Sequence, residues 1–189
     1  MKLPQEVQEI IKKLQNSGFE GYAVGGCVRD LLLGKEPKDW DVTTNAKPEE
    51  IQKLFPEHVY ENTFGTVAIK TPPLMKEAGQ AGSGDPTLEL VEVTPYRIEG
   101  KYSDKRHPDE VKFADKLEDD LSRRDFTVNA IAMDINGEVT DLYDGQKDLK
   151  SKVIRTVGEP EERFGEDALR LLRATRFATI LGFRVLWNP

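Results

Sequence analysis

The chain has 189 residues and a formal net charge of −7 at pH 7. This length is sufficient for one large domain, or for a domain with an appended helical segment, built around a real core. The acidic balance argues against a protein that binds nucleic acid over its whole surface, so a phosphate-binding region must be local. Five arginines of the last quarter are candidates for it: Arg155, Arg163, Arg170, Arg173 and Arg176.

Cys27 is the single cysteine, which excludes an internal disulfide and fits a reducing compartment. Its position next to two glycines predicts packing beneath a turn rather than a reactive thiol. The start of the sequence has no apolar run of the signal-peptide kind, and no stretch approaches membrane-spanning length. We therefore expect a cytoplasmic protein without membrane association, and the sequence indicates no obligate protein partner.

Helices and strands alternate in the first half of the chain. The spacing of the apolar residues predicts an amphipathic helix over residues 4–16, and Pro48 begins a second helix. Short buried, alternating or β-branched stretches predict strands at residues 22–24, 40–43, 64–70 and 88–94.

Two polar segments interrupt this pattern. Residues 71–87 contain paired prolines and a glycine-rich run, which favours an exposed hairpin tip or flexible loop without chemistry. Residues 97–115 are charged and show no hydrophobic period, so we expect a mobile loop. Residues 117–121 are then predicted to be helical, and a hairpin is predicted around Asn136-Gly137.

Helical character dominates the end of the chain, and residues 161–181 form the strongest predicted helix. We therefore divide the chain into a first domain at residues 1–148 and a helical segment at residues 149–189. The pattern predicts an α+β fold with a small mixed or antiparallel sheet backed by helices.

The most informative motif is a pair of aspartates, Asp39 and Asp41, that follows a diglycine turn at Gly25-Gly26. Residues i and i+2 of a strand project from the same face, so alternation around Trp40 aims both carboxylates at one point. Two carboxylates repel unless divalent cations neutralise them, and Mg²⁺ prefers such ligands together with substrate phosphates. Glycines let backbone N–H groups approach a triphosphate. The combination predicts a two-metal nucleotidyl-transfer site.

Four segments carry a family resemblance, in order along the chain. They are GGCVRDLLLGKEPKDWDVTT at residues 25–44, RRDFTVNA at 123–130, DLYDG at 141–145 and EDALRLLRATRF at 166–177. With these motifs the chain resembles the tRNA nucleotidyltransferase/poly(A) polymerase family, the bacterial-type (class II) branch of the DNA polymerase beta-like superfamily. The resemblance implies a nucleotidyltransferase head followed by the start of an all-α neck. Family members continue into helical body and tail regions, so we expect a fragment or an unusually short protein.

Roles for the carboxylates follow from the chemistry of phosphoryl transfer, which needs metal ligands near the attacking hydroxyl. Asp39 and Asp41 are the predicted catalytic and metal-binding residues, with Mg²⁺ as the cofactor. Related folds often add a third carboxylate from a neighbouring strand, and Glu92 is our candidate. A solvent-facing position on an edge strand is an equal alternative for Glu92.

Phosphate binding is assigned to the diglycine turn and to arginines. Gly25, Gly26 and Arg29 are expected to hold the triphosphate, with Arg29 supplying charge-assisted donors. For Asp30 we expect only stabilisation of a helix dipole, without ligand contact.

The second motif supplies further contacts with the nucleotide. The resemblance implies that Arg124 contacts phosphate and that Asp125 accepts hydrogen bonds from the ribose. We expect Asn129 to order the local backbone.

Asp167, Arg170, Arg173 and Arg176 recur at every third position of the last predicted helix. Such a series is most often a salt-bridged solvated face, but in the family the equivalent residues recognise the incoming base and steady its phosphates. Asp167 only accepts hydrogen bonds and Arg170 only donates them. The pair complements cytosine and adenine, which place an amine donor beside a ring-nitrogen acceptor, and opposes uracil and guanine.

The resemblance implies three activities for this head: addition of the whole CCA end, of part of it, or of poly(A). The polar segment at residues 97–115 resembles the flexible element of enzymes that finish with A. This favours CCA addition from CTP and ATP at the tRNA 3′ end, with poly(A) or A-only addition as the alternative. A truncated, non-catalytic nucleotide-binding module is a hypothesis of another class, against which the intact Asp39 and Asp41 argue.

Overall fold

The structure is a computed structural model, and it describes residues 2–61, 65–71, 89–100, 102–103, 106 and 108–187. The predicted loop at residues 71–87 lies outside the described residues, apart from Thr71. The same holds for Phe64 and Leu88, the expected first residues of two strands. Within the described ranges, none of the helices has both the length and the apolar character that crossing a membrane requires.

The described part of the chain contains helices α1 (Gln5–Asn16), α2 (Gly26–Leu32), α3 (Pro48–Leu54), α4 (Leu117–Ser122), α5 (Gly145–Ser151), α6 (Pro160–Glu166) and α7 (Leu169–Leu181). Its strands are β1 (Tyr22–Val24), β2 (Trp40–Thr44), β3 (His58–Glu61), β4 (Thr66–Thr71), β5 (Glu89–Pro95), β6 (Arg97–Glu99), β7 (Val111–Phe113), β8 (Ile131–Met133), β9 (Val139–Asp141), β10 (Val153–Ile154) and β11 (Arg184–Val185). A short 3-10 helix covers Thr127–Asn129.

A mixed sheet of seven strands forms the centre of the described fold, in the order β3-β4-β5-β2-β1-β8-β9. β2 and β5 run parallel, and the other neighbouring pairs are antiparallel. The predicted α+β fold with a mixed sheet and helices is confirmed, as is the β8–β9 hairpin. The edge strand β3 was not predicted, because alternation over four residues cannot be distinguished from a loop.

One face of the sheet carries the main core. Val7, Ile10, Ile11 and Leu14 lie on one stripe of α1 and are buried in the same cluster as Val42 of β2. Burying such a side chain contributes about 1.5–3 kcal/mol. The spacing that predicted α1 is therefore also the spacing of its contacts with the sheet.

The opposite face of β2 carries Asp41 and Thr43, because side chains alternate along a strand. A second apolar cluster, which includes Tyr96 and Leu121, is separate from the main core. Leu121 belongs to α4, and this helix brings Asp120 next to β2, where Thr43 Oγ1 donates to Asp120 Oδ2 at 3.2 Å. The sheet thus places polar side chains on the face away from the main core.

The expectation of a mobile loop over residues 97–115 is wrong at both ends of the segment. β6 and β7 pair antiparallel, with Arg97 opposite Phe113. Each strand has three residues, and a hydrophobic period cannot emerge over so short a stretch. The hairpin is instead held by contacts with distant residues, such as the hydrogen bond of 2.9 Å that Arg123 Nη1 donates to Glu99 Oε1.

The prediction of one continuous helix over residues 161–181 is also wrong. Asp167 has extended backbone angles, φ −136° and ψ 108°, so α6 ends at Glu166 and α7 begins at Leu169. Asp167 Oδ1 accepts a hydrogen bond of 2.8 Å from the backbone N–H of Leu169. This local side-chain bond competes with helical continuation, which is the physical reason for the break.

The segment after residue 148 is mainly helical in α6 and α7, and it also contains the parallel pair β10–β11. The expected boundary at residues 148 and 149 falls inside α5. It remains a prediction.

The DLYDG motif at residues 141–145 forms the corner that leads into α5. The two carboxylate oxygens of Asp141 accept hydrogen bonds of 2.8 Å from the backbone N–H groups of Gly145 and Gln146. A Cβ atom on Gly145 would lie 2.3 Å from the carbonyl oxygen of Thr127. The glycine is therefore required for α5 to pack against the 3-10 helix.

Candidate functional site

A cavity of about 710 Å³ lies between the sheet and helix α7. Eleven of the twelve predicted site residues line it: Gly25, Gly26, Arg29, Asp39, Asp41, Arg124, Asp125, Asp167, Arg170, Arg173 and Arg176. Residues separated by as many as 151 positions in the sequence therefore meet at one place, from Gly25 to Arg176. The volume lies within the range of small-molecule sites, about 300–1,000 Å³.

Gly25 forms the turn between β1 and α2. Its φ of 83° belongs to a region that favours glycine, and a Cβ atom there would lie 3.0 Å from Arg124 Nη1 and 3.8 Å from Asp41 Oδ2. The absence of a side chain at Gly25 thus lets Arg124 and Asp41 approach the turn. Cys27 lies buried beneath it and donates to the carbonyl oxygen of Val24 at 3.2 Å, which confirms its predicted packing role.

Asp41 lies on β2, and the exposed Asp39 directly precedes that strand. Burial raises the pKa of the Asp41 carboxyl, the Arg124 guanidinium opposes this increase, and the Asp39 carboxylate adds to it. The Asp39 carboxylate is therefore close enough to Asp41 to disfavour its ionisation. Asp39 lies outside β2, so strand alternation does not set its direction, and shared metal binding stays a prediction.

The two carboxylates fit a divalent cation that completes its coordination with other oxygens. Among the described residues there is no group of three or more His, Cys, Asp or Glu side chains that could enclose a metal ion. Mg²⁺ commonly binds one or two carboxylates together with waters and substrate phosphates rather than an all-protein cage. The donor set therefore suits an ion that arrives with a phosphate-bearing ligand.

Glu92 differs from the other predicted site residues. It lies on β5 opposite Asp41 in the parallel pair, so the register places it beside the metal-binding candidate. Glu92 is exposed, however, and it does not line the cavity. Its role as a third carboxylate stays a prediction.

Arg29 is held from two sides by protein groups. Its Nε and Nη2 donate to the two carboxylate oxygens of Asp30 at 2.9 and 3.0 Å, and its Nη1 donates to Asn129 Oδ1 at 2.8 Å. The helix-dipole role expected for Asp30 is wrong, because Asp30 lies beyond the first turn of α2, which begins at Gly26. Asp30 does not line the cavity, in agreement with the expected absence of ligand contact. The expectation for Asn129 is wrong, because it bonds side chains rather than local backbone.

Asp125 connects the RRDFTVNA motif to helix α7. Its Oδ1 accepts hydrogen bonds from Asn129 Nδ2 at 3.1 Å and from the Phe126 N–H at 2.8 Å. Its Oδ2 accepts from Nε of Arg173 at 2.7 Å, and Nη2 of the same side chain is also at 2.7 Å. These donors occupy the lone pairs of the carboxylate. A ribose hydroxyl can therefore bind Asp125 Oδ2 only if Arg173 moves away from it.

Arg170 is buried beside the cavity, in contrast to a solvated helix face. Its Nη1 donates to Glu166 Oε2 and to the Arg163 carbonyl oxygen at 3.1 Å. Its Cζ lies 5.6 Å from the centre of the Tyr102 ring. The charge of Arg170 is therefore balanced by Glu166. Burial raises the pKa of the Glu166 carboxyl, but the hydrogen bonds and charges of Arg170 and Arg163 outweigh burial and hold the pKa below its usual value.

Asp120, which sequence analysis missed, holds both arginines of the second motif. The carboxylate is fully buried, and its Oδ1 accepts from Arg123 Nε and Nη2 at 3.0 and 2.7 Å. Its Oδ2 accepts from Arg124 Nη2 at 2.9 Å. Burial raises the pKa of Asp120, but the two guanidinium groups outweigh it and hold the pKa below its usual value.

Spacing in the sequence contained a signal for Asp120, since it lies in the predicted helix at residues 117–121 and precedes Arg123 and Arg124 by three and four positions. Glu99 and Tyr102 also line the cavity, but no local pattern indicates them because the β6–β7 hairpin brings them there. Phe177 lines the cavity as well, and it resembles an ordinary core residue in the sequence.

Comparison with known proteins identifies the family of this chain. Residues 21–155 match the model of the poly(A) polymerase head domain, which is well over half of the chain. The chain belongs to this family. The match includes the glycine turn, both aspartates and the RRDFTVNA motif, whereas the cavity residues from Asp167 to Phe177 lie after it.

Relatives of this poly(A) polymerase-type head include named enzymes. The CCA-adding enzyme of Oceanobacillus iheyensis is 49% identical over 92% of this chain and 40% of its own length. The crystal structure of the Bacillus stearothermophilus CCA-adding enzyme in complex with CTP is 40% identical, with a TM-score of 0.79 over 98% of this chain and 42% of that one.

A tRNA nucleotidyltransferase complexed with a primer tRNA and an incoming ATP analog is 33% identical, with a TM-score of 0.66 over 95% of this chain and 46% of that one. The chain therefore spans about two fifths of the length of these proteins. Its fold is that of their head domains.

Replacing Asp120 with Asn should destabilise the protein by on the order of 3 kcal/mol, because two partly buried guanidinium groups lose their charged partner. The native contribution of Asp120 is present above its unfolded pKa of about 3.9 and is lost as the pH falls through the lower folded value. Urea unfolding followed by circular dichroism should therefore show the largest difference from wild type near neutral pH. The exposed Asp115→Asn is the control; equal stability of the two variants would contradict the assignment.

Replacing Asp41 with Asn should raise the melting temperature of the metal-free protein by about 2–4 °C, since it removes a desolvated charge whose folded pKa is raised. This gain should be present above the raised pKa and disappear as the pH falls through it. Magnesium chloride should raise the melting temperature of the wild type but not that of the variant. Thermal melts with and without the salt measure both effects, and a metal response that survives in the variant would rule out Asp41 as a ligand.

Proposed function

We propose that the chain is the catalytic head of a template-independent RNA nucleotidyltransferase that adds C and A from CTP and ATP to the tRNA 3′ end. The observation that carries this proposal is the meeting of the aspartate pair, the glycine turn and the arginines in one cavity. Family membership and the names of the relatives support it.

Asp39 and Asp41 are proposed to hold divalent ions, with Mg²⁺ as the ion. When bound, such ions lower the pKa of the attacking 3′-hydroxyl and neutralise the departing pyrophosphate. The raised pKa of Asp41 is consistent with this role, because a carboxylate that is costly to ionise in the empty site gains most from a cation.

The residues around the aspartates bind and orient the triphosphate. Gly25 allows close approach because a side chain there would collide with Arg124. Arg124 Nη2 is fixed by Asp120, which leaves Nη1 directed toward the glycine turn. Arg29 and Arg173 add positive charge to the same cavity. Their carboxylate partners keep these cations in place before the ligand binds.

Asp167 and Arg170 are proposed to select the base. Both line the cavity, and the break between α6 and α7 places Asp167 in an extended segment rather than on a helix face. Asp167 uses Oδ1 for the Leu169 N–H, which leaves Oδ2 as an acceptor for the exocyclic amine of cytosine or adenine. Arg170 would supply the donor to the ring nitrogen.

Two alternatives remain for the same cavity. Poly(A) or A-only addition would use the same carboxylates and triphosphate contacts, but it would select the incoming base and the RNA substrate differently. A non-catalytic nucleotide-binding module would retain the cavity and lack transfer.

Incubation of the chain with tRNA lacking its CCA end, Mg²⁺ and each labelled nucleoside triphosphate separates these functions. Incorporation of C followed by A supports CCA addition, whereas runs of A would show poly(A) synthesis. Binding without incorporation would support the non-catalytic module. Asp39→Asn is the control, because nucleotide transfer that depends on the carboxylates should be lost in this variant.

Replacing Asp167 with Ser should reduce the preference for CTP and ATP over UTP and GTP by about tenfold, the scale of one lost hydrogen bond of about 1.4 kcal/mol. Serine can still accept the bond from the Leu169 N–H, so the start of α7 is preserved. Titration with each of the four nucleotides measures the preference. Equal weakening of the binding of all four nucleotides would show that Asp167 contributes to folding or phosphate binding and not to base recognition.

A further inference from the structure

The ring of Phe177 lies close to two cations of the cavity. The Cζ atom of Arg29 lies 5.2 Å from the centre of the Phe177 ring, and the Cζ atom of Arg173 lies 5.3 Å from it. Arg29 is on α2 and Arg173 is on α7, so one aromatic ring joins guanidinium groups from distant parts of the chain. Both distances are within the range of cation–π interactions, up to about 6 Å.

The same two arginines are also connected through a polar route. Arg29 Nη1 donates to Asn129 Oδ1 at 2.8 Å, and Asn129 Nδ2 donates to Asp125 Oδ1 at 3.1 Å. Asp125 Oδ2 accepts from Arg173 Nε at 2.7 Å. Together with Phe177, these residues close a ring of contacts that we call the arginine ring: Arg29, Asn129, Asp125, Arg173 and Phe177.

The aromatic member of the arginine ring is itself anchored. Phe126 is 1% exposed, and its ring meets that of Phe177 edge to face, with centroids 5.9 Å apart and an interplanar angle of 83°. Phe177 is thus packed against the main core on one side and faces the cavity on another. A ring held in this way sets where the two guanidinium groups can lie.

Two guanidinium groups that share a partly buried cavity repel each other. Asp30 and Asp125 offset this repulsion, but a polyanion that binds Arg173 competes with Asp125 for the same donors. The contact with Phe177 does not use the N–H donors, because the ring attracts the cation through its face. The aromatic contact therefore persists while the donors of Arg173 exchange one acceptor for another.

We propose that Phe177 is a positioning residue that fixes the separation of Arg29 and Arg173, so that the pair binds the polyphosphate of a nucleoside triphosphate. This inference rests on the proposed function, which assigns phosphate contacts to the arginines, and it adds the residue that sets the spacing of the pair. It predicts that loss of the aromatic ring weakens binding of the phosphate chain and leaves binding of the base unchanged.

The test compares the binding of ATP and AMP by isothermal titration calorimetry without tRNA, in wild type, Phe177→Leu, Phe177→Met and Phe177→Tyr. Leu and Met retain apolar packing without a quadrupole, and Tyr retains the aromatic face. Both non-aromatic variants should weaken ATP binding by about tenfold, the scale of one to two lost cation–π contacts. AMP binding should change by less than about twofold, and Tyr should restore ATP binding.

Phe183→Leu is the matched control, because Phe183 is a partly buried phenylalanine next to α7 that packs on the core and does not line the cavity. It should leave the ratio of ATP to AMP affinity unchanged. If Phe177→Leu does not fold, as judged by circular dichroism, Phe177→Met carries the comparison.

Equal losses for ATP and AMP in the non-aromatic variants, or unchanged ATP binding, would overturn the inference while the proposed function stands. Failure of the wild type to bind any nucleoside triphosphate would overturn the proposed function and this inference with it. A loss confined to ATP that the Tyr variant reverses supports the role of the ring.

Discussion

The buried carboxylate of Asp120 is the interaction on which the cavity depends. It is fully inaccessible to solvent, and it balances the guanidinium groups of Arg123 and Arg124 while it accepts a hydrogen bond from Thr43 of β2. Burying a charge is costly unless it is paired and hydrogen-bonded, and Asp120 satisfies both conditions. Because its partners belong to the sheet and to the second motif, Asp120 fixes where Arg124 lies relative to Asp41.

From Asp120 the contacts extend to the last helix in a continuous path. Arg123 donates to Glu99 of the β6–β7 hairpin, Tyr102 donates to the same carboxylate, and Arg170 lies over the Tyr102 ring. Burial raises the pKa of the Tyr102 hydroxyl, and its hydrogen bond to Glu99 raises it further, so it stays a donor at neutral pH. The path connects the face of the sheet that bears the carboxylate pair with Arg170, which we propose to contact the base.

The arrangement also explains how a protein with a net charge of −7 can present a cationic site. Three arginines of the cavity have an acidic partner: Asp30 for Arg29, Asp125 for Arg173 and Glu166 for Arg170. An anionic ligand that binds one of these arginines replaces the carboxylate of the partner with its own phosphate. Burying such paired cations costs less free energy than burying unpaired ones, and their geometry is fixed before a ligand binds.

Local sequence patterns were sufficient to predict many of the helices, strands and cavity residues of this molecule. The stripe of α1, the strand that carries Asp41 and the β8–β9 hairpin follow from periods of 3.6 and 2 residues and from turn chemistry, which act over a few positions. The motifs also indicated eleven of the residues that line the cavity. They did not indicate the β6–β7 hairpin, the break at Asp167 or the partners of Asp30 and Asn129, for which no period exists.

The sequence by itself determined the fold class, the glycine turn and the identity of most residues around the cavity, because each of these is encoded by residue type and short-range spacing. Tertiary structure alone decided which charges pair with which. Asp125 was expected to bind the ribose, and in the structure its Oδ2 accepts a hydrogen bond from Arg173, 48 positions away. Such pairing depends on burial and on distances between elements that are remote in the chain, and neither quantity is contained in any local window of residues.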